Sequence, residues 1–429
     1  MPLKPVGSAL KRCSGTHVMQ FLLPLYDVRC ITGMKRIAII GAGAAGCFAA
    51  QRLRELCPGA EVTVFEAQDH PLKKVAVTGG GRCNLTNSFS LVSNLTEVYP
   101  RGHRLMKKLM YEWSQWDTMS WFEEHGVRLV TQEDECVFPL SQRAMEIVGV
   151  LRRGLDIRCG RRLTPADLPD YDAVVVTTGG GRDFSWFREQ GLEIVQPVPS
   201  LFPFRLEPTG LEQLSGTLVA DCAASIGGTP YHAGGITLIT HNGVSGPCIL
   251  RLSSYAARHL AECGYRAPLV MNWLGDASEQ DAMDMLRGIA LAQASRLVVN
   301  YRPEALTSRH WEYMLGRAGI GREMRWGGMG RRQMNRMAAV LTSDTYTITG
   351  RVPHKEEFVT AGGVSLTNVD AATLRCKSIP HLYFAGEVLD VDGVTGGFNL
   401  QAAWTMADAV AHALARELGD ASENMHSTY

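Results

Sequence analysis

The chain has 429 residues, in which 43 Lys and Arg are balanced by 43 Asp and Glu. At about 150 residues per domain, this length predicts two or three domains with a substantial core, and the zero net charge gives no global support for a protein that binds nucleic acid or a membrane surface. A hydrophobic fraction of 45% with 20% charged residues excludes a disordered chain.

The first 33 residues precede any recognisable motif. Three basic residues stand before a weakly apolar segment that Pro24 interrupts. No A-x-A cleavage site follows, so we do not interpret this segment as a signal peptide. We expect residues 1–33 to be a leader outside the fold, with Met34 as the functional start.

The cysteines and the length of the apolar runs indicate the cellular compartment. The eleven cysteines contain no C-x-x-C pair, which argues against a zinc site and a dithiol redox pair. No apolar run approaches 18 residues, so no transmembrane helix is predicted. We therefore expect a cytoplasmic protein with reduced thiols, no bound metal and no membrane partner.

The first strong motif is a strand, a glycine turn and a helix. The apolar run Arg36–Ile40 predicts a strand buried on both faces of a parallel sheet. Gly41–Gly46 follows with the pattern G-x-G-x-x-G, and Cys47–Leu56 has helical periodicity. A second predicted strand, Val62–Phe65, ends in Glu66, 25 positions beyond the first glycine. This order predicts a site for a dinucleotide cofactor.

The residues of this motif have separate roles. Gly41 permits a tight turn, Gly43 lets the backbone approach a pyrophosphate, and Gly46 lets the helix pack closely on the strand. The helix N-terminus attracts phosphates, and Glu66 can accept hydrogen bonds from the adenosine ribose while disfavouring a 2′-phosphate. The predicted cofactor contacts in this segment are Gly41, Ala42, Gly43, Ala44, Ala45, Gly46, Glu66 and Ala67.

Two further glycine-rich segments indicate FAD, which the fingerprint alone does not separate from NAD. Thr78–Asn87 supplies flexible backbone, a guanidinium and amides for a partly anionic ligand. Near the C-terminus, a short predicted strand ends in Gly386-Glu387, where a carboxylate is typical of the ribityl or pyrophosphate region of FAD. Gly396-Gly397 then opens a helix whose N-terminus can stabilise negative charge on a reduced flavin by roughly 0.3–2 kcal/mol. The predicted contacts outside the first motif are Lys74, Gly81, Arg82, Asn84, Thr178, Gly179, Gly386, Glu387, Asp390, Gly396, Gly397, Phe398, Asn399 and Leu400.

These motifs together resemble the BaiN/aminoacetone-oxidase family of bacterial FAD-binding oxidoreductases. The resemblance runs in order over nearly the whole chain from Met34, and its G-G-R-C-N-L-T-N and G-E-V-L-D-V-D-G-V-T-G-G-F-N-L-Q strings are more specific than any dinucleotide fingerprint. Its segments are Gly41–Gly46 with Glu66, Thr78–Asn87, Thr240–Pro247, Val359–Val364 and Tyr383–Gln401. Between about Arg152 and Leu206 the chain is shorter than the family pattern, which leaves the surroundings of the middle of the flavin open.

The resemblance implies an α/β fold with a discontinuous Rossmann-like FAD-binding domain, an inserted β-rich domain and a small helical domain. We assign residues 34–190 and 353–429 to the FAD-binding domain. The β-rich domain takes 191–253 and 341–352, and the helical domain takes 254–340.

The chain contains one complete dinucleotide fingerprint, so a second Rossmann domain for NAD(P)H is not expected. We therefore expect an FAD-dependent oxidoreductase in which transiently docked NAD(P)H reduces the flavin, which then reduces an activated double bond of a small molecule. Three alternatives stay open: an amine (aminoacetone-type) oxidase that uses oxygen, a flavoprotein that binds or modifies RNA, and a non-catalytic flavin-binding regulatory protein.

Few residues outside the cofactor motifs are candidates for catalysis or for RNA binding. His241 is the candidate for proton transfer, ahead of His232 and Tyr231, because all three lie in or beside glycine-rich loops of the inserted β region. An arginine-rich stretch around Trp326 gives local support for RNA, but we favour a solvated surface and disfavour a nucleic-acid partner because the net charge is zero. Its arginines are Arg322, Arg325, Arg331, Arg332 and Arg336.

Overall fold

The computed structural model describes residues 34–181, 183–352 and 359–426, with side chains described up to Leu418. The predicted leader, 1–33, lies outside these ranges. The described helices are α1 (Ala44–Leu56), α2 (Lys73–Gly81), α3 (Leu95–Val98), α4 (His103–Leu109), α5 (Gln115–Glu124), α6 (Ala144–Arg152), α7 (Ser185–Glu189), α8 (Pro247–Tyr255), α9 (Ala257–Glu262), α10 (Glu279–Ala292), α11 (Ser308–Arg317), α12 (Arg331–Thr342) and α13 (Phe398–His426). The described strands are β1 (Arg36–Ile40), β2 (Glu61–Phe65), β3 (Thr86–Asn87), β4 (Leu129–Thr131), β5 (Cys136–Pro139), β6 (Asp156–Arg158), β7 (Ala173–Val176), β8 (Ile194–Ser200), β9 (Phe204–Leu206), β10 (Leu218–Ile226), β11 (His232–Thr240), β12 (Gly243–Ser245), β13 (Ala267–Asn272), β14 (Asp344–Arg351), β15 (Val359–Val364) and β16 (Leu382–Phe384).

A parallel sheet organises the first of two hydrophobic cores. Its described strands lie in the order β16-β7-β1-β2-β6, and β1 pairs with β2 on one side and with β7 on the other. Ala173–Val176 is buried along its whole length, as a strand covered by helices on both faces must be. The predicted Rossmann-like fold is confirmed. Helix α1 begins at Ala44, three residues before the predicted Cys47, because Gly43 in extended backbone already serves as its N-cap.

Six of the described strands close into a barrel, which builds the second core. Their order is β10-β11-β12-β9-β14-β13, and Trp273, Trp311 and Trp326 are fully buried where the barrel packs on α10, α11 and α12. The range 254–340, predicted to be a helical domain, contains β13. Because β13 pairs with both β10 and β14, it belongs to the barrel, and the prediction was wrong for this segment.

The described strands also form two small sheets. Strands β8 and β15 form an antiparallel pair through which the chain enters the barrel and returns from it, and β3, β5 and β4 form a sheet beside α2 and α5. Helix α11 begins at Ser308, because the side chain of Thr307 accepts a hydrogen bond from the backbone N–H of His310 and so caps the helix there. In the part of the chain that the structure describes, no helix is both long enough and apolar enough to cross a bilayer.

Candidate cofactor and active site

The glycine turn after β1 has the three geometries that a dinucleotide cradle requires. Gly41 has φ +106°, and a Cβ on it would lie 2.5 Å from the Thr177 carbonyl oxygen. A Cβ on Gly46 would lie 1.9 Å from the Gly41 carbonyl oxygen, so α1 can approach the turn only through glycine. A Cβ on Gly43 meets nothing within 4 Å. The turn is therefore closed toward the protein and open at the helix N-terminus, where a pyrophosphate would bind.

Glu66 stands beside this turn, at the end of β2. One carboxylate oxygen accepts a hydrogen bond from the backbone N–H of Ala42 at 2.9 Å, and the other accepts from the backbone N–H of Gln68 at 2.9 Å. The side chain is half-buried, whereas Ala67 is exposed. The carboxylate is thus fixed next to the cradle, where adenosine ribose hydroxyls can reach it.

The C-terminal turn meets this cradle. A Cβ on Gly386 would lie 2.9 Å from the Cβ of Ala45 at the start of α1. One oxygen of Glu387 accepts from the backbone N–H of Thr360 at 2.7 Å, and the other lies 3.4 Å from Lys74 Nζ. The structure therefore brings the first and last thirds of the chain together. This contact is required if the N-terminal and C-terminal motifs bind one FAD molecule.

Two residues at this junction, Gly180 and Thr360, were not predicted as site residues from the sequence. A Cβ on Gly180 would lie 2.3 Å from Thr360 Oγ1 and 2.7 Å from a Glu387 oxygen, so the turn after β7 fits only without a side chain. Thr360 is buried and its N–H holds the Glu387 carboxylate. Gly180 follows the predicted contact Gly179 and Thr360 lies in the Val359–Val364 segment, but neither residue type signals such a contact without the pairing of β15 with β8.

The second glycine segment packs against the N-terminus of α13. Gly79, Gly80 and Gly81 all have left-handed backbone, with φ between +59° and +82°, and Gly80 and Gly81 face open space. In the amide orientation that satisfies its neighbours, Asn84 donates to the Thr86 carbonyl oxygen at 2.9 Å and accepts from the Gly397 N–H at 3.2 Å. Asn84 thus caps the helix that we expected to point at the flavin.

Several other predicted contacts have protein partners in the structure. Asp390 pairs with Arg258 of α9 at 3.0 Å, and the Asn399 side chain holds the Gly393 backbone at 2.7 and 2.8 Å. The Arg82 guanidinium lies over the Phe138 ring, 4.4 Å from its centroid. Phe398 is buried, Gly179, Gly396 and Leu400 are half-buried, and Thr178 is exposed. Asp390 and Asn399 therefore shape the loop around the cofactor site, and their direct contact with FAD stays a prediction.

A buried ion pair fixes that loop to the rest of the molecule. Arg101 pairs with Asp392, whose side chain is fully buried, and donates to the Ser254 carbonyl oxygen at 3.0 Å. Ser200 Oγ donates to Asp392 at 3.1 Å. Desolvation raises the pKa of Asp392, and the charge and hydrogen bonds of Arg101 act against that rise. Through Ser200 and Ser254, the pair links the C-terminal loop to the end of β8 and to α8.

The structure does not bring His241 to the cradle. It lies exposed in the turn between β11 and β12, with its Nε2 3.0 Å from Asn242 Nδ2. The Asn242 carbonyl accepts from the N–H of Leu206, at the end of β9 remote from β8. Strand β12 runs antiparallel to β11 from this turn, so the Thr240–Pro247 string leads away from His241 toward the β8 side of the barrel. His232 is exposed on the rim toward β8, and Tyr231 beside it is half-buried.

A cleft of about 260 Å³ opens beside the Glu387 junction. It is lined by Gly181, Gln196–Pro199, Arg351 and Thr360. Cys83, on the second glycine segment, is buried, and desolvation raises the pKa of its thiol to about 12, so it is a neutral packing residue near neutral pH. No cluster of three or more metal-ligating side chains occurs among the described residues.

These residues fit FAD: a tight turn with an open helix N-terminus, a carboxylate at the end of β2, and a second carboxylate with a lysine where the C-terminal turn meets the cradle. When bound, FAD supplies the hydride chemistry. The N-terminus of α1 would hold its phosphates, and Asn84 positions the C-terminal helix. The cleft beside Thr360 leaves room for a substrate.

Comparison with known proteins agrees with this geometry. The model for the HI0933-like protein Rossmann domain matches residues 35–164, and the model for the HI0933-like protein barrel and H2TH domain matches residues 198–359. Together the two matches span more than half of the chain.

Three relatives resemble nearly the whole chain. Proteins named ribosomal RNA dihydrouridine synthase from Haemophilus influenzae and Escherichia coli are 26% and 27% identical to this chain. Each alignment covers 88% of this chain, and the alignments cover 98% and 97% of the two relatives. A 3-dehydro-bile acid delta(4,6)-reductase from Clostridium scindens is 24% identical over 86% of this chain and 97% of its own length. The chain belongs to the HI0933-like family and is an FAD-dependent oxidoreductase.

Proposed function

We propose that this protein uses FAD to reduce a carbon–carbon double bond that is conjugated to a carbonyl group. The observation that carries the proposal is the reaction shared by the names of three relatives that span nearly the whole chain. Dihydrouridine is uridine with its C5–C6 double bond, which is conjugated to the C4 carbonyl, reduced. A delta(4,6)-reductase of a 3-oxo bile acid acts on double bonds conjugated to the 3-ketone.

Such a reduction adds a hydride to the carbon remote from the carbonyl and a proton to the adjacent carbon. The carbonyl oxygen carries developing negative charge, which a nearby cation or hydrogen-bond donor stabilises. The cleft beside Thr360 offers this environment, because Arg351 forms part of its wall. NAD(P)H docking transiently is the reductant we propose, since the chain has one dinucleotide fingerprint.

As the substrate we propose a uracil base of ribosomal RNA, which departs from the small molecule expected from the sequence. The two relatives named for this reaction are 26% and 27% identical to the chain, against 24% for the bile acid reductase. A small polycyclic enone is the second candidate, which the third relative favours.

The test is anaerobic mixing of the holoenzyme with NADH or NADPH, followed by uridine-containing ribosomal RNA or a steroid enone. Bleaching of the flavin absorbance by the nicotinamide, its return on addition of RNA, and a nucleoside heavier than uridine by two hydrogens after digestion would support the proposal. Return of the absorbance with the enone alone would favour the second candidate. Reduction of the flavin by aminoacetone and its reoxidation by oxygen would replace both with an amine oxidase. A flavin that no donor reduces would refute the redox function.

A further inference from the structure

We propose that the exposed face of α4, with the turn that follows it, is an RNA-docking surface next to the active site. The face consists of Arg104, Lys107 and Lys108 on α4 and Tyr111 one turn further, and we call it the α4 stripe. The inference rests on the RNA substrate proposed above.

The spacing of the α4 stripe places its members on one side of the helix. Positions i, i+3, i+4 and i+7 share a helical face, and the backbone N–H of Tyr111 still bonds to the Lys108 carbonyl at 3.4 Å, which continues the turn beyond Leu109. All four side chains are exposed, and Tyr111 exposes 82% of its surface. The opposite face, formed by Leu105, Met106 and Leu109, is buried in the first core.

The three cations are available to bind a ligand. Within the described ranges, none of them forms a salt bridge, although Lys108 contributes to lowering the pKa of the exposed carboxylate Asp370. Lys107 and Lys108 lie in the last turn of α4, where the helix dipole favours positive charge. The helix dipole does not account for a cation at Arg104 in the first turn, nor for the exposure of Tyr111.

Helix α4 begins beside the loop that precedes α13. Directly before α4, Arg101 pairs with Asp392, and a Cβ on Gly102 would lie 2.6 Å from Val391 Cγ2. The helix therefore starts on the same loop that leads to the N-terminus of α13. An RNA strand bound along α4 would reach this loop, as a substrate base must.

The chemistry of the stripe fits RNA better than a membrane. Cations contact the phosphates and exposed aromatic rings stack on unpaired bases, and Trp116, in the first turn of α5, adds a second aromatic side chain exposed over 60% of its surface. A helix that lies on a membrane exposes its apolar face, whereas α4 buries that face. The arginines of α12 are less well placed, because α12 leads into the Asp344 end of β14, opposite the Arg351 end that lines the cleft.

The test measures binding of the FAD-loaded protein to a fluorescein-labelled RNA stem–loop with unpaired uridines, by anisotropy over a series of KCl concentrations. The variant Arg104→Glu/Lys107→Glu/Lys108→Glu should bind at least tenfold more weakly, with a salt dependence shallower by about 2–3 in slope. Tyr111→Ala should lose about tenfold with an unchanged slope, because stacking releases no counterions. The matched control, Arg331→Glu/Arg332→Glu/Arg336→Glu on α12, should bind nearly as the wild type does. Flavin absorbance and its bleaching by NAD(P)H monitor the integrity of every variant.

Wild-type affinity in the α4 variant, or a loss confined to the α12 control, would overturn this surface while leaving the RNA substrate in place. A wild-type protein that binds no RNA and forms no dihydrouridine would refute the proposed substrate itself. Loss of binding to phosphatidylserine vesicles in the α4 variant, with RNA binding intact, would assign the stripe to a membrane and contradict the inference.

Discussion

Replacing Gly43 by alanine should separate cofactor binding from folding. Gly43 has extended backbone, with φ −85° and ψ −164°, which any residue adopts, and the added Cβ would meet no protein atom within 4 Å. Alanine is a poorer N-cap than glycine by about 0.5–1 kcal/mol, and its smaller unfolded-state entropy offsets about 0.4–1 kcal/mol. The apoprotein should therefore keep its stability to within about 1 kcal/mol.

The bound cofactor would be affected differently, because the new methyl group occupies the open space before the helix N-terminus. The pyrophosphate would lose the helix dipole, worth about 0.3–2 kcal/mol, and a charge-assisted hydrogen bond to a backbone N–H, worth about 1.5–3 kcal/mol. A combined loss of about 3 kcal/mol lowers the FAD affinity about 100-fold.

The measurement is titration of the apoprotein with FAD by flavin fluorescence, together with urea unfolding of the apoprotein. Gly149→Ala is the matched control, because a Cβ there also meets nothing within 4 Å but lies on α6 outside the cradle. The control should bind FAD with wild-type affinity. Gly43→Ala protein that also did so would refute the placement of the pyrophosphate at this turn.

Three further changes probe folding. Gly46→Ala places a Cβ 1.9 Å from the Gly41 carbonyl oxygen, and the overpacking should lower apoprotein stability by about 1–3 kcal/mol or more; an unchanged melting temperature would contradict the close approach. Arg101→Ala leaves buried Asp392 uncompensated, which should cost about 3–5 kcal/mol in urea unfolding, and adding Asp392→Asn should restore part of the loss. Burial lowers the pKa of His310 from 6.5 to about 4, so below pH 6.5 the unfolded state takes up a proton that the folded state does not. The free energy of unfolding should fall by about 2 kcal/mol between about pH 7 and pH 5 on account of this residue, and His310→Phe should remove that part of the pH dependence.

The glycine positions of the cradle could be predicted because their roles are local. A turn between a strand and a helix needs positive φ at Gly41 and no side chain at Gly46, and each demand is met within a few residues along the chain. Glu66 follows from the same unit, since it ends the next parallel strand.

The remaining site residues depend on contacts between distant segments. Thr360 holds Glu387 only because β15 pairs with β8. Asp390 meets Arg258 only because the connection between β12 and β13, which contains α9, lies beside the C-terminal loop. His241 shows the converse, since its string resembles that of a flavin-binding family while the β11–β12 register places it on the other rim.

The sequence by itself thus determined the Rossmann-like fold and the glycine positions of the cradle, because short-range backbone geometry restricts those positions to particular residue types. The tertiary structure alone decided that β13 closes the barrel, that Arg101 and Asp392 fix the C-terminal loop, and that the α4 stripe starts at that loop. Contacts between segments far apart in the chain form because they bury whole apolar faces of helices and strands. The order of residue types along the chain does not specify which of these faces meet.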